Sequence, residues 1–408
     1  MFSYQGPSFL GGAKVGASFK NIQNIVNGPK GDGYVSDMIV MREHINDFPN
    51  VICSNMRSQD MFKGSLSRLF EIILNVLNKH PEDIILIFET CSSSLLKEDL
   101  KTAIHALKND EKARIFFYEN DYFKESEDIS ASNTLLHLVE NFPDINVRKK
   151  NNSANIIGPC LLNFNYSHDL KAIKSILDDL KININLTIPY GCSIYDLKHI
   201  GKASLNICSD IPLSFKTAEH LKEKFKQPYL FPPYGFKGTS NFISGLENCF
   251  EKDTANYIQE KENILLKKYS DFMKENIFEN KRIFLFGDMT TVAGLCMFFK
   301  NDFNAENIIA GSYNIRFQEM FFKLIDNSNI NCFFSDDSLE VEEKINEFKP
   351  DLIMGTLNEE RYSNINRIPF IRISSPMRQV ETVMYPFQSF MGYKGLDFLL
   401  SKLKEISF

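Results

Sequence analysis

Short apolar runs rich in Ile and Phe alternate with segments of helical period along most of the chain, and that alternation leaves few architectures open. Residues 83–90 (DIILIFET), 113–119, 155–164, 182–189, 204–209 and 228–232 read as strands buried on both faces. Residues 282–287 (RIFLFG), 307–313, 331–336, 351–356 and 369–375 continue the series, while 65–79, 93–108, 168–181, 214–226, 290–300, 315–326 and 338–348 carry apolar stripes at helical spacing. Strand and helix in turn make βαβ units, so the expected fold class is α/β with parallel sheets. A polar stretch at 145–153 (INVRKKNNS) and a long charged helix at about 252–277 mark two breaks. Three Rossmann-like domains are expected, over 1–150, 151–279 and 280–408, each of ordinary domain size.

Charge and hydropathy remove whole classes of function. The 46 basic and 52 acidic side chains leave a net charge of −6 without a basic cluster, so a nucleic-acid partner is not expected. No apolar run approaches the roughly eighteen residues of a membrane-spanning helix. The opening MFSYQGPSFLGGAKVGASFK has no leader pattern, which predicts a protein used where it is made. With 36 Phe, no Trp, and 35 Lys against 11 Arg, the composition fits AT-rich coding, as in plastids and small-genome bacteria. Plastid stroma, or cytoplasm in a bacterium, is the expected location.

Eight cysteines at 53, 91, 160, 192, 208, 249, 296 and 332 contain no CxxC, so a self-contained zinc or iron–sulfur site has no local signature. Reduced, mostly buried thiols are expected. The seven histidines form no HxxxH or HExxH pair.

Three stretches can carry chemistry. In GPKGDGY (28–34) the glycines permit a tight backbone around Asp32, which either bonds its own turn or presents a carboxylate to a metal centre. ETCSSSLLKEDL (89–100) leaves a strand and opens a helix, with Ser92, Ser93 and Ser94 as possible caps and Cys91 where open α/β sheets place their ligands. In FLFGDMTT (284–291), Asp288 stands between an apolar strand and a helix. It is a natural N-cap, and in an apolar pocket its pKa would rise enough to make it a proton donor. His168 in NYSHDL reads as a locally bonded histidine at a helix start, and the segment 386–406 as a loop followed by a packed amphipathic helix.

Taken in order, these segments resemble the B subunits of light-independent (dark-operative) protochlorophyllide oxidoreductases, relatives of the nitrogenase molybdenum–iron protein. The likeness runs through YQGPSFLG (4–11), VGASFKNIQNIVNGPKGDGY (15–34), TCSSSLLKEDL (90–100), SANIIGPCLLNF (153–164), IPYGCSIYDLK (188–198), FGDMT (286–290), GTLNEE (355–360) and FMGYKG (390–395).

The resemblance implies a nitrogenase-like fold and a catalytic heterotetramer of N and B subunits, fed single electrons by an ATP-driven iron–sulfur L protein. It implies a [4Fe–4S] cluster held by three cysteines of the N subunit and one aspartate here, Asp32. The implied reaction reduces the C17=C18 bond of ring D of protochlorophyllide, with Asp288 as proton donor. Family members usually carry histidine where this chain has Phe9, Thr291 and Arg378, and continue beyond the position of Phe408. A reductase of another tetrapyrrole and a non-catalytic scaffold or decayed paralogue are the competing readings.

Overall fold

The computed structural model describes residues 3–34, 51–105, 107, 114–117, 125–144, 147–161, 163, 165–274, 277–326, 330–376 and 389–406. Thirteen strands among these residues form three sheets. The first has the order β2-β1-β3-β4, from β1 (Ile22–Asn27), β2 (Ile52–Cys53), β3 (Ile84–Glu89) and β4 (Ile115–Phe117). The second runs β6-β5-β7-β8, from β5 (Ser153–Ile157), β6 (Asn183–Ile188), β7 (Leu205–Cys208) and β8 (Tyr229–Leu230). The third runs β11-β10-β9-β12-β13, from β9 (Ile283–Gly287), β10 (Ile308–Ser312), β11 (Asn331–Phe334), β12 (Leu352–Gly355) and β13 (Phe370–Arg372). Every ladder pairing is parallel, as the alternation predicts.

The helices that position the site are α1 (Ser8–Ser18), α2 (Cys91–Leu96), α3 (Glu127–Asn141), α4 (Tyr166–Asp179), α5 (Ile211–Phe225), α6 (Gly235–Phe250), α7 (Met289–Phe303), α8 (Leu357–Asn366) and α9 (Gly392–Glu405). Helix α1 is rich in small residues because it lies against two surfaces at once. A Cβ on Gly11 would stand 1.9 Å from the Glu127 carbonyl oxygen of α3, and one on Gly12 would stand 2.3 Å from the Phe88 ring of β3.

Four expectations need correction. The run 155–164 stops as a strand at Ile157, because Gly158 turns the chain with φ +124°. Segment 182–189 is an edge strand, half-exposed along most of its length rather than buried on both faces. The charged helix at 252–277 breaks at Tyr269 into Ala255–Lys268 and Ser270–Lys274. The 93–108 stretch is two short helices, parted where Lys97 adopts a left-handed conformation, φ 51°. Residues 386–388 and Arg378 lie outside the described residues.

The cores run across the sheets. One joins Ile156 and Ile207 of the second sheet to Leu285 and Met354 of the third and to Leu396 and Leu400 of α9. Another joins Val26, Leu86 and Phe88 of the first sheet to Ile157 and Ile188 of the second. Within the second sheet lies a buried amide ladder. Asn155 Nδ2 donates to Asn206 Oδ1 at 2.9 Å, Asn206 Nδ2 to Gln227 Oε1 at 3.3 Å, and Gln227 Nε2 to the carbonyls of Ile200 and Ala203. The ladder satisfies the amides and fastens the 3-10 turn Ile194–Lys202 to the sheet.

Candidate active site

Ligands of open parallel sheets sit beyond the carboxyl ends of the strands, where the strand order reverses. The reversals here fall between β1 and β3, β5 and β7, and β9 and β12. Asp288 is the first residue after β9 and Asp210 the second after β7.

Each aspartate caps a helix. Asp288 Oδ1 accepts from Thr291 N at 3.0 Å at the start of α7, and Asp210 Oδ1 accepts from Leu213 N at 3.1 Å at the start of α5. The two helix starts touch, since Ile211 N donates to Thr290 Oγ1 at 2.9 Å. Behind Asp288, its own N–H donates to Ser374 Oγ at 2.9 Å, and Ser374 Oγ lies 3.0 Å from the Tyr313 hydroxyl.

Both aspartates line a cavity of about 50 Å³ together with Asp128, Glu127, Lys14 and Tyr313. Lys14 Nζ lies 2.9 Å from Glu127 Oε1, and both side chains are almost wholly buried. Asp128 Oδ2 accepts from Asn314 Nδ2 at 2.8 Å and Gln5 Nε2 at 3.2 Å. Next to this group, buried Asp169 of α4 accepts from Ser389 Oγ at 2.7 Å and Asn165 Nδ2 at 3.1 Å. Tyr234, at the start of α6, places its hydroxyl 3.3 Å from Thr291 Oγ1.

Burial of so many acids together sets their protonation. Burial raises the Asp288 carboxyl above the usual carboxylate range, against the opposing bonds from Thr291 and Ser374. Asp210 is pushed up to about 7 by burial and then by the charge of Asp288. Asp169 is likewise pushed up to about 7, by burial first, with Asp288 and Asp210 adding to it. The hydroxyls of Tyr234 and Tyr313 move up for the same reasons, burial and then neighbouring carboxylates.

Asp32 does not line this cavity; it lies beyond the carboxyl edge of the first sheet. The loop after β1 turns at Gly28, whose N–H donates to Ser54 Oγ at 2.9 Å, and Asp32 N donates to the Pro29 carbonyl at 3.0 Å. Asp32 Oδ2 is buried without a hydrogen-bond partner, so the side chain does not bond its own turn through that atom. A Cβ on Gly31 would meet nothing within 4 Å, whereas one on Gly28 would meet Thr90 at 2.5 Å. A buried carboxylate oxygen with no donor is free to accept a cation, and its chemistry fits one oxygen ligand to iron. Among the described residues, no three His, Cys, Asp or Glu side chains converge as a complete metal site.

In ETCSSSLLKEDL the N-cap position is Thr90, and of the three serines Ser93 takes part in the cap, its Oγ accepting from Thr90 N at 3.0 Å. Cys91 is half-buried at the start of α2, with its sulfur 3.9 Å from Ser92 Oγ. His168 lies 3.4 Å from Ser167 Oγ, and burial lowers its pKa, as suits a locally bonded neutral histidine. Sequence reading missed Asp210, Asp169, Asp128 and the Lys14–Glu127 pair. Asp210 had a usable signal, an acid two residues after the strand LNIC and directly before a helix, close to the context that marked Asp288.

The nitrogenase component 1 type oxidoreductase family model matches residues 7–406. The chain belongs to that family. A component 1 type relative, the B subunit of light-independent protochlorophyllide reductase from Heliobacterium modesticaldum, is 29% identical over 98% of this chain and 78% of its own length. The protein of the same name from a Synechococcus is 30% identical over 97% of this chain and 81% of its own. That of Mesostigma viride is 28% identical, with the same coverage. A solved structure of nitrogenase Cp1 at pH 6.5 superimposes with a TM-score of 0.80 over 99% of this chain and 92% of that one, at 19% identity. This component 1 type chain is thus a nitrogenase-like oxidoreductase in fold and family. Among its described residues no helix is long and apolar enough to cross a membrane.

Proposed function

We propose that this chain is the B-type subunit of the catalytic component of a light-independent protochlorophyllide reductase, acting in chlorophyll biosynthesis. The observation that carries the reading is its collinear likeness, over 97–98% of its length, to relatives of that name. The reaction adds two electrons and two protons across the C17=C18 bond of ring D, giving chlorophyllide. Asp288 is the proton donor. Burial raises its pKa above the usual carboxylate range, the direction that a general acid needs. The cavity beside it has room for a few waters only, which suits proton delivery rather than enclosure of a ring system.

Asp32 would hold one corner of a [4Fe–4S] cluster through its unpartnered Oδ2, the other ligands being three cysteines of the N subunit. Bound there, the cluster supplies single electrons, and an oxygen ligand in place of a thiolate is a lever on its potential. The partners are the N subunit, in a heterotetramer, and transiently the ATP-using L protein. The setting is the plastid stroma, or the cytoplasm in a bacterium.

The experiment is reconstitution with N and L partners, ATP and a reductant, following protochlorophyllide to chlorophyllide by absorbance. The parent should turn over, and Asp288→Asn should lose on the order of 10²–10⁴-fold. Asn caps a helix as well as Asp does, so α7 remains intact. An assembled, cluster-loaded parent that leaves protochlorophyllide untouched would refute the reading.

A further inference from the structure

A single acid leaves this chemistry incompletely supplied, because a carboxyl that has given its proton is an anion and must be recharged before it can act again. Asp210 stands in the position to do so. It caps α5 as Asp288 caps α7, the helix starts are joined through Ile211 N and Thr290 Oγ1 at 2.9 Å, and both side chains line one cavity of about 50 Å³. Asp210 commits Oδ1 to Leu213 N, and no protein donor reaches its other oxygen among the described residues. A helix cap alone does not require an acid here, since Asn or Ser would serve.

The surrounding charges favour a proton held between the two. Helix α3 contributes Asp128 and Glu127, and α4 contributes Asp169. Tyr234 and Tyr313 face the pair as neutral phenols, their pKa values raised, and α1 contributes Lys14, the cation lining the cavity, which is engaged by Glu127. Asp169, Asp210 and Asp288 therefore oppose one another's ionisation.

We infer that Asp210 is the relay partner of Asp288, returning a proton to it across the cavity after each delivery. The inference rests on the reductase reading above. In the step, the O–H bond of Asp210 breaks and an O–H bond forms on Asp288, directly or through a cavity water. The negative charge passes from Asp288 to Asp210, no electrons move, and solvent later reprotonates Asp210. Asp210 acts through Asp288 and does not touch the substrate.

The test uses the assembled complex and the variants Asp210→Asn and Asp210→Glu. With ATP, reductant and protochlorophyllide, Asp210→Asn should keep a first turnover in mildly acidic buffer but lose steady-state rate by on the order of 10²-fold. It should also displace the basic limb of the pH–rate profile, and Asp210→Glu should recover most of the rate. Infrared titration of carboxyl protons in the complex without substrate gives a readout free of activity: Asp210→Asn should make Asp288 lose its proton at lower pH. Equal loss in both variants with an unchanged pH profile and unchanged Asp288 titration would reduce Asp210 to a structural cap and overturn the relay. If the parent is inactive while the infrared coupling appears, the reductase reading fails and the coupled pair stands. If the coupling is missing, the relay is refuted whatever the activity.

Discussion

Replacing Lys14 by methionine tests how the acid cavity is held together. Lys14 Nζ lies 2.9 Å from Glu127 Oε1, with side-chain exposures of 2% and 9%. At that distance and an effective dielectric of about 20, the attraction is about 6 kcal/mol, which offsets the cost of taking two charges out of water. Methionine matches the length of the lysine stem, so packing in α1 is largely kept, and Gly6 N still donates to Glu127 Oε2. The variant therefore leaves the Glu127 carboxylate buried without its cation, at a cost of about 3–5 kcal/mol. Amide hydrogen exchange in α1 and α3 reads this locally, without requiring two-state unfolding of the whole chain. Protection there should fall by two to nearly four decades, at about 1.4 kcal/mol per decade. The double variant Lys14→Met with Glu127→Leu should recover most of it, because the orphaned charge is gone. A loss of less than about one decade in the single variant would mean that the pair contributes no net stability, and the reasoning would be wrong.

Asp32→Ala should leave the fold within roughly 0.5 kcal/mol of the parent, because Oδ2 makes no hydrogen bond, yet lower the iron content of the assembled complex; unchanged iron would remove Asp32 as a ligand. Asp169 holds its proton to about pH 7 when folded, against about 4 when unfolded, so the folded state binds more protons between these values and its stability falls as pH rises through that window. Asp169→Asn should flatten that decline in a thermal-midpoint series, and an unaltered slope would contradict the assignment. Asn206→Leu should cost about 1–3 kcal/mol for each polar group it strands, principally on Asn155 and Gln227, in urea unfolding followed by circular dichroism; a neutral result would mean the ladder relaxes onto other partners.

Most strands were legible because their residues are apolar on both faces. IILIFE and IFLFG need only burial to become β3 and β9. Strand β1 escaped notice because IQNIVN places polar amides at core positions. Asn24 Nδ2 donates to the Ala13 carbonyl and Asn27 Nδ2 to Ser65 Oγ, partners 11 and 38 residues away that no local pattern announces. Helix α1 was missed for a related reason: its glycines weaken helix propensity but are required by the contacts with Glu127 and Phe88. At the site, Asp288 was legible from strand–acid–helix context, and Asp32 from its glycine-rich loop. The companions Asp128 and Asp169 were not, because they sit on helices and become neighbours of Asp210 and Asp288 only when three sheets converge.

Helix α5 buries Ile211 in the core that joins the second and third sheets, and Leu213, Leu221 and Phe225 in the core that joins the first and second. A hinge between sheets would have to peel this helix from one side or the other. Each 100 Å² of apolar surface so exposed costs about 2.5 kcal/mol, and relative domain motion is not the default where the shared surface is large and hydrophobic. Helix α5 thus acts as a tie between the three sheets, and its burial on two sides resists hinge bending. Bending between the sheets is the motion that this packing suppresses, so the spacing between the Asp32 loop and the Asp288 cavity is held by the same apolar contacts that make the core.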